Sequence, residues 1–189
     1  MRNGRNALLL LVAAAAMIGC GGGSGGDGDA VGGPGTTVSA DFVADQPSPP
    51  ASTVSLQKAA TSSNLVTVRV DATGVSGIYG AAFDLAFDAN LAEYVGFTHG
   101  SFFEQGATTE PNYTVNSPGP GQLVVAVSRT GNVPGVSTTA SRTIVNLTFR
   151  VKVAGSGQVT VPDAALLDAQ LQPQPVPGIT WEAGTLRGN

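Results

Sequence analysis

The sequence predicts an all-β protein, in which one two-sheet sandwich follows an export signal and a flexible segment. Three observations support this fold class. Apolar residues recur with a period of two between positions 66 and 153, turn residues separate nearly all of these stretches, and no stretch shows helical periodicity. Only 12% of the 189 residues are charged, against about 25% in an average domain, and 26 Gly and 12 Pro suit short strands joined by turns. A chain of this length holds one ordinary domain plus appendages.

The strongest strand predictions come from alternation, because successive side chains of a strand point to opposite faces of its sheet. In 66–71, three valines alternate with Thr67, Arg69 and Asp71. In 143–153 the predicted core residues are Val145, Leu147, Phe149, Val151 and Val153, and the predicted solvent-facing residues are Ile144, Asn146, Thr148, Arg150 and Lys152. In 79–87 one face carries Tyr79, Ala81, Phe83, Leu85 and Phe87, and the other carries Gly80, Ala82, Asp84 and Ala86. Shorter strands are expected at 54–57, 93–98, 113–116, 122–128, 158–161, 164–167 and 180–186.

The first 19 residues follow a targeting pattern, with Arg2 and Arg5 ahead of an apolar run over 7–18 that is too short to span a bilayer comfortably. The run ends in Gly19-Cys20, which resembles a bacterial lipobox, where the cysteine becomes the lipidated N-terminus. Cys20 is the only cysteine, so no disulfide forms within the chain. We therefore expect an exported lipoprotein on a membrane surface. The alternative is an ordinary cleaved signal peptide followed by a free thiol.

Residues 20–50 form the predicted tether: the lipidated cysteine and a stretch of Gly, Ser, Pro and Asp that cannot bury enough surface to fold. Gly21 stands where an Asp often retains lipoproteins at the inner membrane, which favours the outer membrane or cell surface. The folded domain is expected over 51–189. The chain carries a formal net charge of −4, and no basic patch is present, so nucleic acid is not an expected partner.

The stretch over 78–91, IYGAAFDLAFDANL, resembles the cohesin signature, in which an alternating strand runs into Tyr-Asp-Pro-x-x-Leu. Here Phe87, Asp88, Ala89 and Leu91 stand at those positions, with one residue deleted. The stretch SRTGNVPGV over 128–136, followed by VNLTFRV over 145–151, is also similar to cohesin-like domains of exported bacterial proteins. The resemblance covers roughly 54–186. It implies a jelly-roll sandwich of about nine strands, related to bacterial carbohydrate-binding modules and without catalytic activity.

The resemblance also implies a partner, the dockerin module of another protein that is commonly a polysaccharide-degrading enzyme. Dockerins bind the outward face of the sheet that contains the family's third strand. Cellulosomal cohesins often carry Asn and Asp on that strand, where this chain has Gly80 and Ala82. The expected partner-binding residues are Gly80, Ala82, Asp84, Ala86, Val124 and Ala126. Two alternatives remain: direct carbohydrate binding, and a structural envelope lipoprotein without a specific ligand.

Catalytic and metal sites find little support in the sequence. His99 is the only histidine, so a nucleophilic Ser101 or Ser128 would depend on it, yet no nucleophile-elbow pattern surrounds either serine. Two pairs of carboxylates, Asp84 with Asp88 and Glu104 with Glu110, are candidates for the two acids of a glycosidase, which lie about 5 to 10 Å apart. Asp88 is expected to accept hydrogen bonds from turn backbone instead. No metal ligands and no cofactor are assigned.

Aromatic rings that face solvent would indicate a sugar platform. After the core faces are assigned, the remaining rings are Tyr79, Tyr94, Phe102, Phe103, Tyr113 and Trp181. Trp181 is expected in the core. Phe102 and Phe103, in a loop, are the expected glycan contact, although two such rings also suit a plug at the end of a sandwich.

Overall fold

The computed structural model describes residues 38–170 and 172–189, and every regular element in this part of the chain is a β-strand. The strands are β1 (Ala40–Ala44), β2 (Thr53–Ser62), β3 (Leu65–Thr73), β4 (Val75–Ala86), β5 (Ala92–His99), β6 (Asn112–Asn116), β7 (Gln122–Ser128), β8 (Val136–Thr138), β9 (Arg142–Val151), β10 (Gly155–Val159), β11 (Ala164–Asp168), β12 (Thr180–Glu182) and β13 (Gly184–Gly188). Within these two described ranges, no helix is long and apolar enough to cross a membrane.

The strands form three sheets. One sheet, the β4 sheet, has the order β11-β4-β7-β6, with β8 also paired to β4. The second sheet has the order β12-β2-β3-β9-β5, and a small third sheet has the order β1-β13-β10. All pairings are antiparallel except that of β12 with β2. The two large sheets enclose the core, which confirms the predicted all-β sandwich.

The core follows the predicted alternation closely. Phe83 and Leu85 of β4 are buried, as are Leu147 and Phe149 of β9. Trp181 lies in register with the buried Val54, and its ring centroid is 5.3 Å from that of Phe83. It is partly buried against the core, as expected of a ring in this strand.

A bulge in β9 makes one face assignment wrong. Ile144 was expected to face solvent, yet it is fully buried beside Val145. Val70 of β3 pairs with Val145, and the next residue, Asp71, pairs with Thr143. Ile144 is therefore the extra residue, and two successive side chains turn inward. Val153, expected in the core, lies beyond the end of β9 and is 49% exposed.

A second irregularity takes Tyr79 out of the alternation that buries Ala81, Phe83 and Leu85 on the same strand. Leu167 of β11 pairs with Gly80, and the next residue, Asp168, pairs with Ile78, so Tyr79 has no partner on that strand. Ile78 is fully buried, while Tyr79 is only half-buried and its hydroxyl donates to the Gly131 carbonyl at 2.7 Å.

The folded domain begins before the expected boundary at residue 51. Residues 40–44, expected in the tether, form β1 and pair with β13 over five residues. Phe42 is 1% exposed, and Asp41 forms a 2.8 Å ion pair with Lys58. The hydrogen bond that Lys58 donates in this ion pair lowers the pKa of the Asp41 carboxyl. The alternation of Ala40, Phe42 and Ala44 gives β1 an apolar face that β13 and the core cover. The predicted signal peptide, Cys20 and the tether up to residue 37 lie outside the described residues.

Candidate functional site

The outward face of the β4 sheet carries mostly small side chains. The register places Ala82 of β4 between Ala165 of β11 and Ala126 of β7, and Thr114 of β6 completes the row. In the neighbouring row, Asp84 lies opposite Val124, which lies opposite Asn116. Phe83 and Val125 are buried in the core. Successive residues of a strand point to opposite sides of the sheet, so the residues next to them, Ala82, Asp84, Val124 and Ala126, point outward. The result is a flat surface across four strands.

Five of the six residues expected to bind a partner lie on this face and reach solvent. Ala82 and Ala126 are exposed, Val124 is 41% exposed, and Asp84 and Ala86 are half-buried. The structure therefore brings together residues from two separated strands, as the alternation predicted.

Gly80, the sixth expected residue, does not reach solvent, which contradicts the expectation that it is open to a partner. Gly80 is buried, and a Cβ at this position would lie 3.0 Å from the Val127 carbonyl and 3.7 Å from Leu167. The tight contact is with the Val127 carbonyl on the neighbouring strand β7, while Leu167 lies at ordinary van der Waals distance.

Sequence reasoning missed the contribution of β6 and β11 to this face. Thr114, Ala165 and Asp163 were not expected there, because the pairing of β11 with β4 and of β6 with β7 exists only in the folded chain. Asp163 directly precedes β11, and its carbonyl accepts the backbone N–H of Asp84 at 2.8 Å. The alternation in 164–167 would have assigned Ala165 to this face, but only after the strand that pairs with it was known.

The charges on this face are few and acidic. Strands β4, β6, β7 and β11 contain no Lys or Arg, and their carboxylates are Asp84 and Asp168. Asp168 accepts the backbone N–H groups of Gln170 and Gln174 and so is engaged in its own loop. Asp84 makes no side-chain hydrogen bond within the described residues, and it remains available to a partner.

Phe102 and Phe103 do not form a sugar platform, so this expectation is wrong. Both rings are fully buried and pack edge to face with centroids 4.9 Å apart. The backbone N–H of Gly100 donates to the Ile144 carbonyl, and that of Phe102 donates to the Thr143 carbonyl. These bonds hold the loop against β9, and the two rings close this end of the core.

Three of the groups considered for catalysis, His99, Glu110 and Asp88, make structural contacts. The His99 ring stacks on Tyr113 with centroids 4.0 Å apart, and its Nδ1 lies 3.3 Å from a Glu110 carboxylate oxygen. Neither Ser101 nor Ser128 hydrogen-bonds to His99 in the described chain. Asp88 accepts the backbone N–H of Asn90 at 2.8 Å, which confirms its expected turn role. Over residues 38–170 and 172–189, no three acidic, His or Cys side chains are grouped to bind a metal.

The remaining exposed-aromatic candidates support the sandwich. The Tyr94 ring packs against Phe149, with centroids 6.2 Å apart, and Tyr113 donates a hydrogen bond to the Gly100 carbonyl at 3.0 Å. Burial raises the pKa of Tyr113 to about 12. These rings lie at the side where β5 and β6 are the edge strands of their sheets.

Solved structures with the same fold are cohesin modules. The sixth cohesin of scaffoldin B from Acetivibrio cellulolyticus, solved in complex with a mutant Cel5 dockerin, matches with TM-score 0.52 and 21% identity over 79% of this chain and 97% of that one. A type II cohesin domain from the cellulosome of Acetivibrio cellulolyticus matches with TM-score 0.55 and 13% identity, covering 80% and 95%. A non-cellulosomal cohesin from Archaeoglobus fulgidus matches with TM-score 0.50 and 16% identity, covering 77% and 88%.

The fold and the flat sheet face define a β-sandwich interaction module. The family model of the cohesin domain matches residues 52–176, which is more than half of the chain. The chain therefore belongs to the cohesin family, and its folded domain is a non-catalytic protein-interaction module. No curated protein sequence matches it.

Proposed function

We propose that this chain is a docking module that binds a dockerin-type module of another protein through the outward face of the β4 sheet. Membership of the cohesin family and the dockerin-bound state of a structural neighbour support this function. The observation that favours this face is its row of small side chains. Ala82, Ala126 and Ala165 let a partner approach the backbone of three adjacent strands closely.

The chemistry of the face suits a protein surface. Val124 is one of the few large apolar side chains that remain exposed among the described residues, and it lies at the centre of the sheet beside Ala82 and Asp84. Apolar contact area at the centre of an interface supplies most of the binding free energy. The outward-facing residues around Ala82 and Asp84, which are Thr114, Asn116, Val124, Ala126 and Ala165, include no aromatic ring on which a sugar could stack.

We further propose that the module is exported and lipid-anchored through Cys20, at the outer membrane or cell surface. The basic residues, apolar run and Gly19-Cys20 sequence support this anchoring. A partner held there would act outside the cell, and we propose a polysaccharide-degrading enzyme as that partner, in keeping with the family resemblance.

The test is calorimetric titration of the full-length chain, in mild detergent, with dockerin modules encoded in the same genome. Ala82→Arg places a long charged side chain at the centre of the face, and it should weaken binding more than tenfold. The matched control is Thr98→Arg, at an exposed position on the opposite sheet, which should bind like the parent. Circular dichroism establishes that both variants are folded. Equal binding by Ala82→Arg and the parent would place recognition elsewhere.

A further inference from the structure

A pocket of about 660 Å³ lies at the end of the sandwich where β8 pairs with the start of β4. Four separate parts of the chain line it: Ala51, residues 74–76, Gln105 and residues 137–142. Small-molecule sites in proteins are concave and commonly enclose about 300 to 1,000 Å³. The polar side chains of this pocket, called the β8 pocket below, are Ser76, Gln105, Ser137, Thr138, Thr139 and Arg142.

Hydrogen bonds hold the walls of the β8 pocket in place. Ser137 Oγ accepts the backbone N–H of Gly77 at 3.0 Å and lies 3.0 Å from the Ser76 Oγ, so β8 is joined to β4 through side chains as well as backbone. The Thr138 hydroxyl donates to the Ala140 carbonyl at 2.7 Å and fixes the turn that follows β8. A ligand would therefore enter a site that is already formed, and binding would cost little ordering of the chain.

The lining of the β8 pocket carries one positive charge and, in the described part of the chain, no carboxylate. The charge is Arg142, exposed at the first position of β9. Asp71 pairs with Thr143, the neighbour of Arg142, but its carboxylate forms an ion pair with Arg69 and accepts hydrogen bonds from Ser141 and Thr143. The ion pairs formed within residues 38–170 and 172–189 use other basic side chains, those of Lys58, Arg69, His99 and Arg150. Arg142 is therefore available to an anion.

A second guanidinium without a carboxylate partner contacts the wall of the pocket at Gln105. Arg129 is 5% exposed, and its Nη1 donates to the Gln105 carbonyl at 2.9 Å. Its Nε has no hydrogen-bond partner among the described residues. A buried cation without a counter-ion is costly, and negative charge brought near it offsets part of that cost. The electrostatics of Arg129 and Arg142 thus favour the same kind of ligand.

We propose that the β8 pocket binds a small hydroxylated organic anion, a sugar acid or a sugar phosphate, at a site separate from the proposed interface. The Arg142 guanidinium would donate charge-assisted hydrogen bonds to the carboxylate or phosphoryl oxygens. The Gln105 amide donates to the Phe102 carbonyl at 2.9 Å, which leaves its Oε1 to accept from a ligand hydroxyl. The exposed Thr139 hydroxyl makes no hydrogen bond within the described chain and adds a further donor and acceptor.

The absence of rings in the lining separates this ligand from a neutral sugar. No Phe, Tyr, Trp or His lines the pocket in the described chain, so the stacking that commonly holds an uncharged pyranose is not offered. The apolar part of the lining consists of small aliphatic groups, Ala51, Val75 and Ala140, which suit the C–H groups of a sugar ring. Charge and hydrogen bonds must supply the specificity, and they select the anion.

The experiment titrates the isotope-labelled full-length chain, in mild detergent, with three ligands that share one ring: glucose, glucuronate and glucose 6-phosphate. At least one of the two anions should shift the backbone amide NMR signals of residues 74–76 and 137–142, and glucose should leave them unchanged. The anion that binds more tightly distinguishes a carboxylate ligand from a phosphate ligand. Binding should weaken as NaCl is raised, because an exposed charge pair is screened by salt.

Two matched variants test the role assigned to Arg142. Arg142→Gln should weaken binding of the anion about tenfold or more, since hydrogen bonds to charged groups contribute at least this factor. Arg150→Gln makes the same change on the same strand, at an exposed residue that is paired with Glu93 outside the pocket, and should bind like the parent. Circular dichroism establishes that both variants are folded.

Three results would overturn the inference: no shift of the pocket signals with either anion, equal shifts with glucose and the anions, or equal affinity of Arg142→Gln and Arg150→Gln. The proposed docking function is tested separately. Arg142→Gln should bind a dockerin module like the parent, and Ala82→Arg should bind the anion like the parent, because the pocket and the proposed interface share no residue.

Discussion

The burial of Phe42 leads to a prediction about where the domain begins. Phe42 is 1% exposed, and it fits because Gly184, which pairs with Ala44, has no side chain: a Cβ there would lie 2.2 Å from the Phe42 ring. Phe42→Ala removes a fully buried aromatic ring and leaves a cavity beside the backbone of β13, which cannot move in to fill it. We expect the free energy of unfolding to fall by about 3 to 5 kcal/mol, the usual range for this change in a core.

The matched control is Val43→Ala on the same strand. Val43 is 37% exposed and points away from the core, so its truncation should change the free energy of unfolding by about 0.5 kcal/mol or less. Removal of residues 1–50 should cost more than Phe42→Ala, because the five β1-β13 pairs are lost with the ring.

Urea unfolding followed by fluorescence measures all three changes, since Trp181 is the only tryptophan and packs on Phe83 in the core. With a slope of about 2 kcal/mol per molar urea, the Phe42→Ala midpoint should move down by roughly 2 M. A chain of residues 51–189 as stable as the full-length protein, or equal effects of Phe42→Ala and Val43→Ala, would refute the assignment of β1 to the domain.

Three further predictions concern other parts of the chain. Cys20→Ser should release the protein from membranes and abolish palmitate labelling, and a variant that still labels would contradict lipidation. Leu147→Ala should destabilise the domain by about 2 to 5 kcal/mol, because Leu147 is fully buried. Thr148→Ala should cost about 1 kcal/mol at most, through loss of its 3.2 Å hydroxyl contact with Thr67. Equal urea midpoints for the two variants would contradict the face assignment. Burial raises the pKa of Tyr113 to about 12 in the folded state, so its contribution to stability should be complete below pH 10 and be lost as pH rises from 10 towards 12. In urea unfolding between pH 10 and 12, the stability of Tyr113→Phe should fall less than that of the parent.

Much of the sandwich could be predicted because its information is local. Alternation within β4, β7 and β9 identifies the core faces from single strands, and the same parity identified Ala82, Asp84, Val124 and Ala126 as outward residues. What failed depends on pairings between distant segments. β1 is a strand only because β13, more than 140 residues later, covers its apolar side, and its short Ala-Phe-Ala pattern is hidden among Gly, Ser, Pro and Asp.

The bulge errors have the same origin. Nothing in the stretch around Ile144 shows that one residue will be skipped in the pairing with β3, and one skipped residue turns the next side chain to the other face. Loops have no periodicity at all, so Phe102 and Phe103 could be read as exposed or buried with equal ease.

The two ends of the described chain meet at one point. The backbone N–H of Ser39 donates to the Asn189 carbonyl, and the N–H of Asn189 donates to the Ser39 carbonyl, both at 2.9 Å. A linker of a few residues could therefore join these ends, and a new start could be opened in the exposed turn between β6 and β7 without removing a strand. The module is thus suited to circular permutation and to insertion within a loop of another protein, where it would leave the host's two flanking segments side by side.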